Sequence, residues 1–224
     1  MIHGQAASKH WHVLGGTVAE DMKIFQTSEA NSRLRMIRVA SDLFHKQGVR
    51  TTSPDKIIEA SRTGKGQFYH YFKSKEGIVH AVLEAHLEAV KTGSGRIKYE
   101  INSWKDLEKW FQSHVDWQMS FGMTRGCPIG TFANEITEED ELIRQDVSLI
   151  IELIKYKLAA FFIREKAKGH LRKDADEERL ADFCIATLQG AMLVGKIRRN
   201  KRPMEMAFRE ALQHLRYYVI SPKH

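Results

Sequence analysis

From Gly48 to Glu76 the chain is punctuated so densely that it can hold only short helices. Gly48 stands where glycine closes a helix, after a helical pattern that begins at Glu29. Ser53-Pro54 reads as an N-cap followed by proline at the first helical position. "PDKIIEAS" is then a short helix carrying Ile57, Ile58 and Ala60, "SRTG" is a tight connection, and a second short helix runs from Lys65 to about Phe72. Ser74, with Glu76 in the following turn, opens another helix that runs to about Lys91. The order is long, short, short, long.

The two short pieces differ in chemistry. The first long helix places Leu34, Ile37, Ala40, Ser41 and Phe44 at spacings of three and four, with Arg33, Arg35, Arg38 and Lys46 elsewhere around it. The second short piece crowds Phe68-Tyr69-His70-Tyr71-Phe72 between Arg62, Lys65, Lys73 and Lys75. Such a segment suits neither a pure core nor a pure water face. It suits a helix with one side on a small core and the other on a polyanion. The chain's formal net charge of +7 points the same way. A helix-turn-helix unit, whose second short helix enters a major groove, accounts for the mixture.

Phe68 and Phe72, four apart, are the expected core side, with Tyr71 beside them. The DNA side is then Thr63, Lys65, Gly66, Gln67, Tyr69 and His70, joined by Lys75 and, from the first short helix, Ser53 and Lys56. Gln67 can pair with an adenine edge. The Tyr69 hydroxyl and the His70 imidazole can donate to phosphate, and Ser53, Lys56, Lys65 and Lys75 are placed for backbone contacts. Gly66 lets main chain approach DNA closely.

"TTSPDKIIEASRTGKGQFYHYFKSKEGIVHAVLE" resembles the DNA-binding end of TetR-type transcriptional repressors, most specifically over Lys65–Glu76. The N-terminal match runs from about Leu34 to Leu87. The resemblance implies a homodimer on a palindromic operator that is released when a small molecule enters a larger C-terminal domain. It also implies a glycine, an apolar residue and a serine in the turn, where this chain has Arg62, Thr63 and Gly64. A left-handed arginine is costly, so one reading shifts the turn by a residue or two and makes Thr63 the cap.

These readings give an all-α chain of 224 residues. Its expected organisation is an N-terminal arm at 1–28, a DNA-binding domain at 29–76 and a helical effector-binding and dimerisation domain at 77–224. "KHWH" at 9–12 is read as solvated histidines. Ser103 with Asp106, and Thr137 with Asp140, look like helix-opening capping boxes, the second starting a helix that ends near Lys168. The acidic run 135–141 is read as favourable charge at that helix start. Further helices are expected from about Asp176 to Arg199 and from Pro203 onward. The last two, with Gly190, Ala191 and Gly195 as a small-residue strip, are the expected dimer interface. The basic run 195–203 is read as a solvated loop.

The effector side rests on an aromatic and Met-rich stretch: Trp104, Trp110, Phe111, Trp117, Met119, Phe121 and Met123. His114 and Cys127 complete the candidate sensor set with Phe111 and Trp117. "RGCPIGTFANEI" (125–136) resembles the segment after the fifth helix in TetR-type subgroups, among them the N-ethylmaleimide-responsive repressors, where a cysteine at this place senses electrophiles. Arg125 and a helix start at Cys127 would favour thiolate. Cys184 is read as packing, and the two cysteines fit no zinc or disulfide framework. No cofactor or metal is expected. No run of about 18 apolar residues predicts a membrane span, the expected compartment is cytoplasmic, and no membrane partner is expected. Two rivals stand beside the repressor: an α-helical enzyme with Cys127 as nucleophile and His114 as base, and an architectural protein binding DNA without sequence choice.

Overall fold

The computed structural model describes residues 18–220, with side chains from Asn31 onward. The histidines at 9–12 and most of the expected arm lie outside the described residues. Over these residues the chain forms α1 (Val18–Gln47), α2 (Pro54–Ser61), α3 (Lys65–Phe72), α4 (Lys75–Thr92), α5 (Trp104–Met119), α6 (Pro128–Glu135), α7 (Glu141–Ala167), α8 (Glu177–Arg198) and α9 (Arg202–Arg216). α1 therefore begins upstream of the Glu29 read from periodicity. The stretch from Val18 to Ser28 contains neither Gly nor Pro, and the breaker lies before it, at Gly15-Gly16.

α2 and α3 have eight residues each, too few to hold a helix in water. They persist because each sends apolar side chains into a core shared with α1 and α4. Met36, Ile37, Ala40 and Phe44 of α1 meet Ile57, Phe68, Phe72, Ile78, Val79 and Val82 there. Leu34, expected on that face, is instead 56% exposed, and Met36 takes the buried place. Caps do the rest. Ser53 Oγ accepts from Lys56 N–H, and Ser74 Oγ accepts from Gly77 N–H.

The joint between α3 and α4 is the tightest in the head. A Cβ on Gly77 would lie 1.8 Å from the Phe72 carbonyl oxygen, so no side chain fits there. α4 continues from this joint into the body, where it packs along α7, and His80 Nδ1 lies 2.5 Å from Asp146 Oδ2. α5 packs on α9, with Phe111 stacked on Phe208 at 4.6 Å between centroids. α7, α8 and α9 close the body.

One start differs from the sequence reading, and another follows it. α7 begins at Glu141 rather than Thr137, because Asp140 Oδ2 accepts from both the N–H and the hydroxyl of Thr137 and closes a separate turn. α6 begins at Pro128, with Cys127 at its cap, as the sequence reading has it. A Cβ on its Gly130 would stand 3.0 Å from Gln189 Oε1 and 3.2 Å from Cys127 Cβ, so a larger residue there would have to push Gln189 aside.

By length and composition α8 could cross a membrane. One face of it is instead core: Leu180, Ala181, Cys184, Leu188 and Met192 are buried. Leu193, Val194 and Ile197 remain exposed. Of the three small residues expected to face a partner, Gly190 is open, whereas Ala191 is buried and Gly195 is pressed against Met123 and Met204 of its own chain.

Candidate nucleic-acid interface

The turn between α2 and α3 decides how α3 is presented. Arg62 holds it in the left-handed region, with φ 51° and ψ 51°, so the arginine accepts the backbone cost and the turn is not shifted. Arg35 Nε donates to the Ser61 carbonyl at 2.8 Å and fixes the end of α2 to α1. Thr63 is not the cap. Its hydroxyl lies 2.7 Å from Ser61 Oγ, and Gly64 occupies the N-cap position. Gln67 reaches back, its Oε1 accepting from Gly64 N–H at 3.2 Å.

α3 divides cleanly. Phe68 and Phe72 are buried, their rings 5.4 Å apart, and Tyr71 is half-buried against the same core. Lys65, Gly66, Gln67 and His70 are exposed, and Tyr69 is 41% exposed with its ring edge on Phe68. Ser53 and Lys56 are exposed at the start of α2, and Thr63 and Lys75 are half-buried. Lys65 stands 3.8 Å from Asp55, an exposed pair that water screens and DNA phosphate can displace. Lys56 Nζ donates to the Thr51 carbonyl at 2.9 Å, and Lys75 Nζ donates to the Arg50 carbonyl at 3.2 Å. Both ammonium groups are thus steered by the α1–α2 turn.

The candidate sensor residues separate. A cavity of about 230 Å³ lies in the body among α4 to α8 and the 95–99 segment. Its wall includes His86, Tyr99, His114, Trp117, Cys127 and Gln189, set among aliphatic side chains. Phe111 does not reach it and belongs to the α5–α9 core. Trp104 packs instead on Phe161 and Phe162, and Trp110 is buried beside Phe111. Met119 is exposed. Sequence reasoning missed His86, Tyr99 and Gln189. They lie on α4, on the 95–99 segment and on α8, and only the fold brings them together.

The one charged side chain on the cavity wall is Arg96, which is exposed. Burial lowers His86 and His114 to about 4, so both are neutral at pH 7. His114 Nδ1–H donates to the Trp110 carbonyl at 2.8 Å. Burial also holds the Tyr99 phenol above its ordinary value.

Cys127 corrects an expectation. It is the N-cap residue of α6, and main-chain N–H groups of Ile129 and Gly130 favour its thiolate, yet burial outweighs them and raises the thiol above its ordinary value. Arg125 does not assist: it pairs with Asp42 at 2.6 Å and lies over the Phe121 ring. The neighbour of the sulfur is Gln189, whose Nε2 donates to Sγ at 3.3 Å. A protonated thiol beside a neutral, backbone-bonded His114 is not an activated nucleophile. Among the described residues no cluster of His, Cys, Asp or Glu could hold a metal ion.

The comparisons agree with this geometry. Residues 36–82 match the model for bacterial regulatory proteins of the tetR family, and residues 104–211 match that for the tetracyclin repressor-like C-terminal domain. The chain is 27% identical over 175 residues to the HTH-type transcriptional repressor DhaR of Mycobacterium sp. (strain GP1), covering 77% of this chain and 86% of that one. Among solved structures, reduced NemR of E. coli aligns with a TM-score of 0.73 at 22% identity, over 86% of this chain and 100% of the other. CifR, solved with a 26bp double-strand operator DNA, aligns with a TM-score of 0.66 at 24% identity, over 80% of this chain and 93% of its own. With its head and body each matched by a model of that family, the chain belongs to the TetR family of transcriptional regulators.

Proposed function

We propose that the chain is a repressor that binds a palindromic operator as a homodimer and leaves it when a small molecule occupies the body cavity. The observation that carries the DNA half is the division of α3: Phe68 and Phe72 inward, Lys65, Gly66, Gln67, Tyr69 and His70 outward. Ser53, Lys56, Thr63 and Lys75 flank that face and act on phosphates. Gln67 reads a base only after giving up its bond to Gly64 N–H, so its contribution to specificity is smaller than that of an unengaged side chain. The exposed Leu193, Val194 and Ile197 on α8, with open Gly190, supply the apolar face that a second copy covers. Pairing there sets two α3 helices about 34–36 Å apart, one turn of DNA. Operator DNA as the target implies the cytoplasmic compartment that holds the chromosome.

The effector half rests on the cavity. At about 230 Å³ it exceeds the roughly 150 Å³ space that takes benzene, and it is smaller than drug-sized pockets. His86, His114, Tyr99 and Gln189 on its wall are neutral and Arg96 is its one cation, so the fitting ligand is largely apolar, with one or two groups to meet His114, Tyr99 or Gln189. The regulatory reading is preferred to an enzyme because Cys127 lacks a base.

Selection from random duplexes, followed by salt titration, tests the proposal. The selected operator should bind two chains per duplex and exceed random DNA by a factor of roughly a thousand or more. Equal affinity for both would leave the architectural protein standing. With that operator, Tyr69→Ala and Lys75→Ala are each expected to weaken binding about tenfold, with helical content and dimer unchanged. Lys75→Ala should also lower the salt slope by about 0.9. Unaltered affinity in both variants would remove these residues from the interface.

A further inference from the structure

We propose that Glu135 is the positioning residue that ties the cavity to the DNA-binding head, an inference that rests on the repressor reading above. Two helices join them: α4, whose His86, Ala89 and Val90 line the cavity, and α6. The first residues of α6, Pro128 and Ile129, line the cavity together with Cys127 at the cap. Its last residue is Glu135, whose carboxylate holds the α1–α2 turn with both oxygens. Oε1 accepts from Val49 N–H at 3.1 Å and Oε2 accepts from Arg50 N–H at 2.7 Å. The Arg50 guanidinium donates in return to the Glu135 carbonyl at 3.2 Å. The fit is close enough to require glycine at 48, where φ is 92° and a Cβ would lie 2.5 Å from Glu135 Oε1.

The gripped turn is also where the two steered lysines attach. Lys75 Nζ donates to the Arg50 carbonyl and Lys56 Nζ to the Thr51 carbonyl. The turn is braced from within by Thr52, buried, whose hydroxyl donates to the Gly48 carbonyl at 2.7 Å and accepts from Gln47 Nε2 at 3.0 Å. A turn so braced moves as a unit. Along its length α6 is seated on α1 by the Phe132–Phe44 ring contact at 5.7 Å. Ahead of it, Gly126 O accepts from His45 Nε2 at 2.8 Å. A ligand that shifts Pro128 and Ile129 therefore displaces, through Glu135, the carbonyls that aim Lys56 and Lys75. Two sites joined this way bias each other reciprocally: operator binding must alter the cavity wall by the same coupling.

Cys127 reports on that wall, while Cys184 is buried in the core and stays silent. The experiment measures the rate at which iodoacetamide alkylates Cys127, read by mass spectrometry at each cysteine, in the dimer alone and saturated with its selected operator. In the wild type the operator-bound and free rates should differ by several-fold. In Glu135→Ala the difference should shrink below about twofold with operator still saturating. Glu135→Gln keeps the shape and one acceptor oxygen, so it carries the test if the alanine variant does not fold, and it should fall between the two. A variant that retains the full wild-type difference overturns the proposal, as does a wild type whose Cys127 rate is the same bound and free. Failure of the wild type to select any operator overturns the repressor reading and this inference with it.

Discussion

Phe68→Ala is expected to cost about 3–5 kcal/mol, the range for emptying a large aromatic site in a core that cannot collapse. The ring is fully buried, between Tyr69 and Phe72 on its own helix, in a core shared with α1 and α4. Because α3 has only eight residues, little but this packing keeps it helical. Operator binding should therefore fall further than in Tyr69→Ala, through loss of the presenting scaffold rather than of one contact. Urea unfolding gives the stability, and duplex titration of the same sample gives the affinity. A destabilised variant that still bound operator at wild-type strength would show that Phe68 does not support the reading face.

The second large effect follows pH. His114 and His86 titrate near 4 in the folded chain and near 6.5 when unfolded, because burial disfavours the cation. The unfolded state therefore binds the extra protons. Stability from these groups is complete above about 6.5 and is withdrawn as pH falls towards 4, where the folded state begins to take up protons too. Between pH 7 and pH 5 the two together should remove about 4 kcal/mol. Carboxylates contribute little in that window, since their unfolded values lie lower. Urea midpoints at the two pH values measure the loss, and His114→Gln, which can still donate to the Trp110 carbonyl, should halve it. Equal stability at pH 7 and pH 5 would mean that the cavity accommodates imidazolium.

Local signals made the head legible. Ser53 and Ser74 cap the helices they were expected to cap, and the inward pair Phe68 and Phe72 follows from spacing alone. Where the reading departed, a tertiary contact had overruled a local preference. Arg62 is held left-handed while Arg35 secures the preceding carbonyl. Glu135, read as part of an acidic helix start, ends one helix and grips the turn between α1 and α2. Leu34 and Met36 lie two apart, and the turn-by-turn pattern could not tell which would face inward. The cavity was the least legible part. The stripe on α5 yielded Trp117 and His114, but most of the wall comes from other helices and from the 95–99 segment.

The absence of room at Gly77 has a mechanical consequence. With the Phe72 carbonyl so close to the start of α4 that no Cβ fits between them, a movement of α4 is passed on to α3. α4 has eighteen residues and so forms an arm about 27 Å long. A tilt of about 5° sweeps its tip through roughly 2.4 Å. In a symmetric pair the sweep occurs twice and in opposite senses, which spoils the spacing a rigid duplex demands.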